Sequence, residues 1–181
     1  MAEASAEAKL AQELDPLSPG PTNILAWTYS AQGDEDHALA EYAKSQAISP
    51  TSSSVYYNLF DIYSIKRMYD KAVPELEQAL TVESHGQQAQ VISESYKRAG
   101  RSGMLRSLIK VKSNPSETLY DPAAVAVSYV LLGDRDQAFA WLNKAYDAHR
   151  GLNFVKTDPM WAPIRSDPRF ADLLHRMGLP Q

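Results

Sequence analysis

The sequence predicts an all-α protein built from repeated two-helix units, and three observations support this prediction. First, Pro16 and Pro50 stand 34 residues apart and mark the ends of successive units. Second, Gly33-Asp34 interrupts the apolar periodicity between them, so each unit contains two helices joined by a turn. Third, apolar and small residues recur at the same shift of 34. The recurring pairs are Leu25 and Leu59, Tyr29 and Tyr63, and Ala38 and Ala72.

The first complete unit, residues 19–52, shows one packed face on each predicted helix. The faces are formed by Leu25, Ala26 and Tyr29, and by Ala38, Tyr42 and Ser45. This unit resembles the tetratricopeptide repeat, which has aromatic and small residues on its first helix, alanine and an aromatic residue on its second, and a closing proline. The resemblance implies a right-handed α-α superhelix ending in a capping helix.

The repeat spacing divides the chain into six segments of one domain, residues 1–181. They are a half repeat at 2–16, repeats at 19–52 and 53–85, a degenerate repeat at 86–117, a fourth repeat at 118–150 and a cap at 151–181. Pro74 is predicted to lie near the start of a second helix, and Ser52 to Ser54 are candidate N-caps. In the degenerate repeat the pattern runs one residue out of register, and Leu105, Ile109 and Lys112 replace small residues.

The half repeat has two interpretations. Ala4, Ala8 and Ala11 followed by Pro16 repeat the spacing of a second helix whose first helix is not in the sequence. Either the sequence is part of a longer protein, or this helix is an N-terminal cap. A self-assembling array, in which the unpaired helix docks on another copy, is the corresponding alternative function.

The C-terminal segment predicts two short helices. Asp158-Pro159 and Asp167-Pro168 each read as an N-cap followed by proline, and an apolar stripe follows. The stripe is Phe170, Leu173, Leu174 and Met177. The motifs K-x-D-P, R-x-D-P-R-F and L-L-x-x-M-G-L in this segment resemble the end of the tetratricopeptide region in bacterial multidomain regulators. The resemblance implies a segment of a larger bacterial regulatory protein.

The composition and motifs of the sequence disfavour nucleic-acid binding, membrane insertion and catalysis. The net charge of −4 disfavours a general nucleic-acid partner, and no stretch has the length and apolarity of a membrane span. The first residues carry no secretion signal, and the absence of cysteine, which by itself fixes no compartment, suits a reducing cytosol. We expect a cytoplasmic protein without a membrane partner. The four histidines are scattered, and no phosphate-binding or nucleophile motif is present. We therefore expect no catalysis, cofactor or metal.

The resemblance places the first helix of each unit on a concave groove that binds a peptide or protein partner. The residues predicted to line it are Asn23, Trp27, Tyr57, Asp61, Ser64, Gln90, Glu94, Lys97 and Arg98, with Ser30, Ala123, Val127 and Val130 as further positions. Trp27 has an alternative role in packing on a neighbouring helix. The run from Lys97 to Lys112 carries six cations and no acid, which fits a solvated face, a patch for an acidic peptide or, less well, a phosphate contact.

Overall fold

The computed structural model describes residues 2–179, which form nine α-helices, one 3-10 helix and no strand. The α-helices are α1 (Ala2–Leu14), α2 (Pro19–Ala31), α3 (Glu35–Ile48), α4 (Ser53–Ile65), α5 (Tyr69–Val82), α6 (Gly86–Lys112), α7 (Pro122–Leu132), α8 (Arg135–Asp147) and α9 (Pro168–Arg176). The 3-10 helix is Pro159–Ile164. The all-α prediction is confirmed, and the right-handed superhelix stays a prediction.

The chain divides into two compact units, Met1–Gln90 and Val91–Gln181, with the boundary inside α6. None of the helices in the described residues has the length and apolarity needed to cross a bilayer.

The first unit is a series of helices that pack on their neighbours in chain order: α1 on α2, α2 on α3, α3 on α4, and α4 on α5. Helices α2, α3 and α4 share one core, and the alanines in it are completely buried. That core contains Ala26, Ala38, Tyr42, Val55, Leu59 and Ile62. An alanine at a helix contact lets two backbones approach closely, so the small residues of the pattern determine the spacing between helices.

The turn at Gly33-Asp34 ends α2 and begins α3. Gly33 takes a left-handed φ of 77°, and the Asp34 carboxylate accepts a hydrogen bond from the His37 backbone N–H at 3.3 Å. Arg67 takes the same conformation, with a φ of 58°, in the turn between α4 and α5. Left-handed backbone is unfavourable for a residue with a Cβ, but two backbone hydrogen bonds close this turn without glycine: the Arg67 N–H donates to the Ser64 carbonyl at 3.1 Å, and the Met68 N–H donates to the Tyr63 carbonyl at 2.8 Å.

Helix α1 is attached to the unit by apolar packing and by side-chain hydrogen bonds. Ala8 is 4% exposed, and the Gln12 Nε2 donates to Thr22 Oγ1 at 3.1 Å and to Glu41 Oε2 at 3.0 Å. Glu41 is 8% exposed, so this hydrogen bond satisfies a carboxylate that has lost most of its water. The amide of Gln12 thereby connects α1 to both α2 and α3.

Two local expectations need correction in the first unit. Pro74 lies five residues after the start of α5 and is inside the helix, because α5 begins at Tyr69. Ser52 occupies the N-cap position of α4, but its side chain makes no cap hydrogen bond, and its Oγ lies 2.9 Å from Ser54 Oγ.

The degenerate repeat forms two helical segments that continue across a kink in α6. Ala99 (φ −139°) and Gly100 (φ 58°) leave helical geometry, and Gly100 adopts a backbone conformation that favours glycine. Beyond the kink, Leu105 is completely buried and Lys112 is 8% exposed. The Lys112 Nζ lies 3.9 Å from Asp121 Oδ2, which compensates part of the cost of burying a cation.

The second unit has its main core between α7, α8 and the C-terminal segment. Asp121 caps α7 by accepting a hydrogen bond from the Ala124 N–H at 3.0 Å, and Asp158 and Asp167 cap the 3-10 helix and α9 in the same way. Phe170 and Leu173 of α9 are at most 2% exposed and belong to one core with α7 and α8. The predicted capping helix therefore covers the apolar residues of the fourth repeat.

We expect Phe170→Ala to lower the free energy of unfolding by about 3 kcal/mol, since it removes a fully buried ring from this core. The control is His175→Ala, an exposed position of α9, which should change stability by less than about 0.5 kcal/mol. Urea unfolding followed by helical circular dichroism measures both. Equal midpoints for the two variants would show that α9 does not close the core.

An ionic contact joins the start of α9 to α8. Arg169 donates to Asp167 Oδ2 and to Asp136 Oδ1, each at 2.8 Å, and its guanidinium lies 4.2 Å from the ring centre of Phe139. The hydrogen bond from the Arg169 side chain is the main reason that the pKa of Asp167 falls from 3.8 to about 2.

This lowered pKa predicts an acid-dependent loss of stability. Because the folded pKa is below the unfolded one, the Asp167 carboxylate stabilises the fold above about pH 4, and the contribution disappears as the pH falls toward 2. We expect Asp167→Asn, which keeps a capping oxygen, to lose less thermal stability between pH 5 and pH 2 than the parent. Parallel pH profiles of the melting temperature would contradict this account.

Candidate functional site

The candidate surface of the first unit lies beside the packed faces of α2 and α4. On α2, Leu25 is 2% exposed and Ala26 is completely buried, whereas Asn23 and Trp27 are half-buried. Trp27 follows Ala26 by one residue, a rotation of about 100° around the helix, so its ring borders the core and also meets solvent. A half-buried tryptophan on a rigid helix offers apolar area with few rotamers to order on binding.

Helix α4 contributes Tyr57 and Asp61, and both side chains are half-buried. The Tyr57 O–H donates to Glu83 Oε2 at 2.8 Å, and Glu83 is the C-cap residue of α5. This hydrogen bond fixes the Tyr57 ring between two helices of the second repeat. The ring is therefore oriented before any partner binds, which lowers the entropy cost of a contact.

Ser64 does not lie on the surface of the first unit. Its side chain is 1% exposed, and Ser30, one repeat earlier, is 6% exposed. Each serine follows a buried residue by four positions, Phe60 and Ala26 respectively, and so lies on the same helix face. The packed stripe of the first helices is wider than the sequence pattern indicated.

The remaining predicted residues lie on α6. Gln90 is exposed at the end of the first unit. Glu94, Lys97 and Arg98 are exposed in the second unit, and the Arg98 Nε is 3.4 Å from the Glu94 carbonyl oxygen, one turn earlier. Their role in binding stays a prediction.

Two expected lining residues of the fourth repeat are buried. Ala123 is 5% exposed and Val130 is 6% exposed, and both belong to the core of the second unit, so the expectation that they face a groove is wrong. Val127, between them on α7, is half-buried and packs against the same core. An apolar first helix thus contributes more of its circumference to the core than the repeat pattern indicates.

A polar cluster inside the first repeats was not apparent from the sequence. Burial raises the pKa of Glu75, and the Gln46 Nε2 donates to its Oε2 at 3.3 Å. Burial also raises the pKa of Tyr63, with the negative charge of Glu75 adding to the effect. Glu75 is half-buried, and the cluster joins α3, α4 and α5. Only the three-dimensional packing brings these side chains together, since Gln46 and Glu75 are far apart in the chain.

No grouping of side chains suggests a metal site. Across residues 2–179, no three or more histidine, aspartate or glutamate side chains converge in a way that could hold an ion. The side chains on the candidate surface offer aromatic area and hydrogen-bonding groups. Such groups suit recognition of another molecule.

Comparison with protein families agrees with this geometry. The family model of the tetratricopeptide repeat matches residues 23–52 and 53–85. Two segments of the first unit are thus similar to the tetratricopeptide repeat. The first match covers most of α2 and all of α3, and the second covers α4 and α5. Repeats of this family generally mediate protein–protein interactions and are typically noncatalytic. A search of curated proteins returned no match to the chain.

Proposed function

We propose that the chain is a noncatalytic interaction module that binds a peptide or protein segment on the first-helix face of its two tetratricopeptide repeats. The observation that carries the proposal is the match of residues 23–52 and 53–85 to a repeat that generally binds proteins or peptides. The proposed contact residues are Asn23 and Trp27 on α2, and Tyr57 and Asp61 on α4.

The chemistry of this face favours a partner with one hydrophobic anchor. Trp27 and Tyr57 are half-buried, and aromatic residues of this kind carry much of the energy at protein interfaces. Asp61 adds a carboxylate, which favours backbone N–H groups or a cation on the partner, whereas the Asn23 Oδ1 is buried and Asn23 has only its amide N–H groups to offer. An extended or helical peptide satisfies both requirements.

We also propose that the module is part of a larger protein. The motifs between Lys156 and Leu179 resemble the end of the repeat region in bacterial multidomain regulators, and this resemblance supports a role as the interaction segment of such a protein in the cytoplasm. Lys97 and Arg98 lie on α6 in the second unit, and we propose them separately as a patch for an acidic peptide. Exposed cations of this kind affect mainly association rate and salt dependence.

The test uses peptides selected on the purified chain from a displayed random library, followed by titration of the enriched peptides. We expect Trp27→Ala to weaken binding by about 2 kcal/mol, or some thirtyfold, because the anchor loses its aromatic contact. The matched control is Trp141→Ala, since Trp141 is also half-buried but lies on α8, a second helix of the second unit.

Two results would contradict binding on the first-helix face. Unchanged affinity of the enriched peptides for Trp27→Ala, with weaker binding to Trp141→Ala, would place recognition on the second helices. Unchanged affinity of the enriched peptides for Tyr57→Ala would remove α4 from the site. Melting temperatures of all variants separate lost binding from lost folding.

A further inference from the structure

A second surface of the first unit is an open groove between α1 and α2. It has a volume of about 710 Å³. Its apolar lining is Ala4, Ala8 and Ala11 on α1, and Pro21 and Ile24 on α2. None of the proposed contact residues on α2 and α4, which together form the Trp27 face, is among its lining residues, although Ile24 precedes Trp27 by one turn on α2.

The groove leaves apolar surface in contact with water. Ile24 is 51% exposed on its wall. Three leucines of α1 and the following turn are also exposed: Leu10 at 56%, Leu14 at 78% and Leu17 at 79%. In residues 2–179 six large apolar side chains are exposed, and four of them belong to α1, α2 and the turn that joins them, although only Ile24 lines the groove itself. A concentration of exposed apolar side chains in one region indicates an interaction surface.

The shape of the groove fits a helix. Ala4, Ala8 and Ala11 follow one another at helical spacing, so they form one straight stripe of small side chains along α1. The ridge of an incoming helix can lie in such a stripe at close interaxial distance, with the Ile24 side chain on its flank. The long open side of the groove suits a helix better than a compact small molecule, which would need enclosure.

The acidic side chains at the rim of the groove favour a helix that carries positive charge. Glu3 and Glu7 are its charged lining residues, and both are exposed at its rim. Glu13 and Asp15 add two more acids near by in the sequence. The Lys9 ammonium is directed to the Tyr29 ring, 5.9 Å from its centre, and does not line the groove. The local field is therefore negative along α1.

We propose that this groove binds a cationic amphipathic helix of a partner protein. Small and aliphatic residues of that helix would cover the alanine stripe and Ile24, and lysine or arginine on its flank would pair with Glu3 and Glu7. A second copy of the chain is a poorer occupant. Pairing two α1 helices would bring the acids of one against the acids of the other.

The experiment titrates the intact chain with two synthetic helical peptides and follows fluorescence anisotropy at low salt. Both peptides carry alanine and leucine on one face, and lysine on the flanks of the first is replaced by glutamate in the second. We expect saturable binding of the lysine peptide only. Glu3→Lys with Glu7→Lys should weaken that binding at least about tenfold and allow the glutamate peptide to bind, since rim charges then match it.

Two controls separate the groove from general charge and from folding. Glu13→Lys changes an exposed acid of α1 that does not line the groove, and it should alter affinity less than about twofold. Because Glu3 lies in the first turn of α1, where an acid favours the helix, Glu7→Lys alone is the second variant. Glu7→Lys should weaken binding of the lysine peptide and improve binding of the glutamate peptide, each by less than the double variant does.

Three outcomes would overturn the proposal: equal weakening by Glu13→Lys, binding of both peptides with equal affinity, or a mass that doubles with concentration and excludes the lysine peptide. The last would assign the groove to a second copy of the chain. None of these outcomes bears on the Trp27 face, so the two proposals fail independently.

Discussion

The structure depends on the close approach of neighbouring helices at buried alanines. Ala26 on α2, Ala38 on α3 and Ala72 on α5 have no exposed surface, and Ala138 repeats this on α8 in the second unit. A larger side chain at such a contact would separate the helices and expose the leucine and tyrosine residues packed behind them. The orientation of each first helix, and so the presentation of Trp27, follows from these contacts.

The local rules of helix ends explain the features that could be predicted from the sequence. Asp121, Asp158 and Asp167 each precede proline, and each accepts the expected backbone hydrogen bond. Such caps need only a carboxylate and a nearby N–H, so three or four residues of sequence determine them. The repeat period is equally visible in the sequence, because it reflects the two packed faces of a unit.

Features that depend on packing between distant residues could not be predicted in this way. The cluster of Gln46, Tyr63 and Glu75 comes from three different helices. Ser64 was expected on the surface but is buried, because the wide packed face of α4 includes it. The contact of Gln12 with Glu41 joins residues of two different helices, and no sequence pattern signals it. For the candidate site, the sequence indicated the aromatic positions, and the structure added how deeply each is buried.

The most direct test of the account is the cost of enlarging one buried alanine against an exposed one on the same helix. Ala38 has no exposed surface, whereas Ala40 is exposed two residues later on α3. Ala38→Leu should lower the free energy of unfolding by about 1–3 kcal/mol, and Ala40→Leu should leave it within about 0.5 kcal/mol, as measured by urea unfolding. If both variants unfold at the midpoint of the parent protein, close packing at alanine does not determine the helix arrangement.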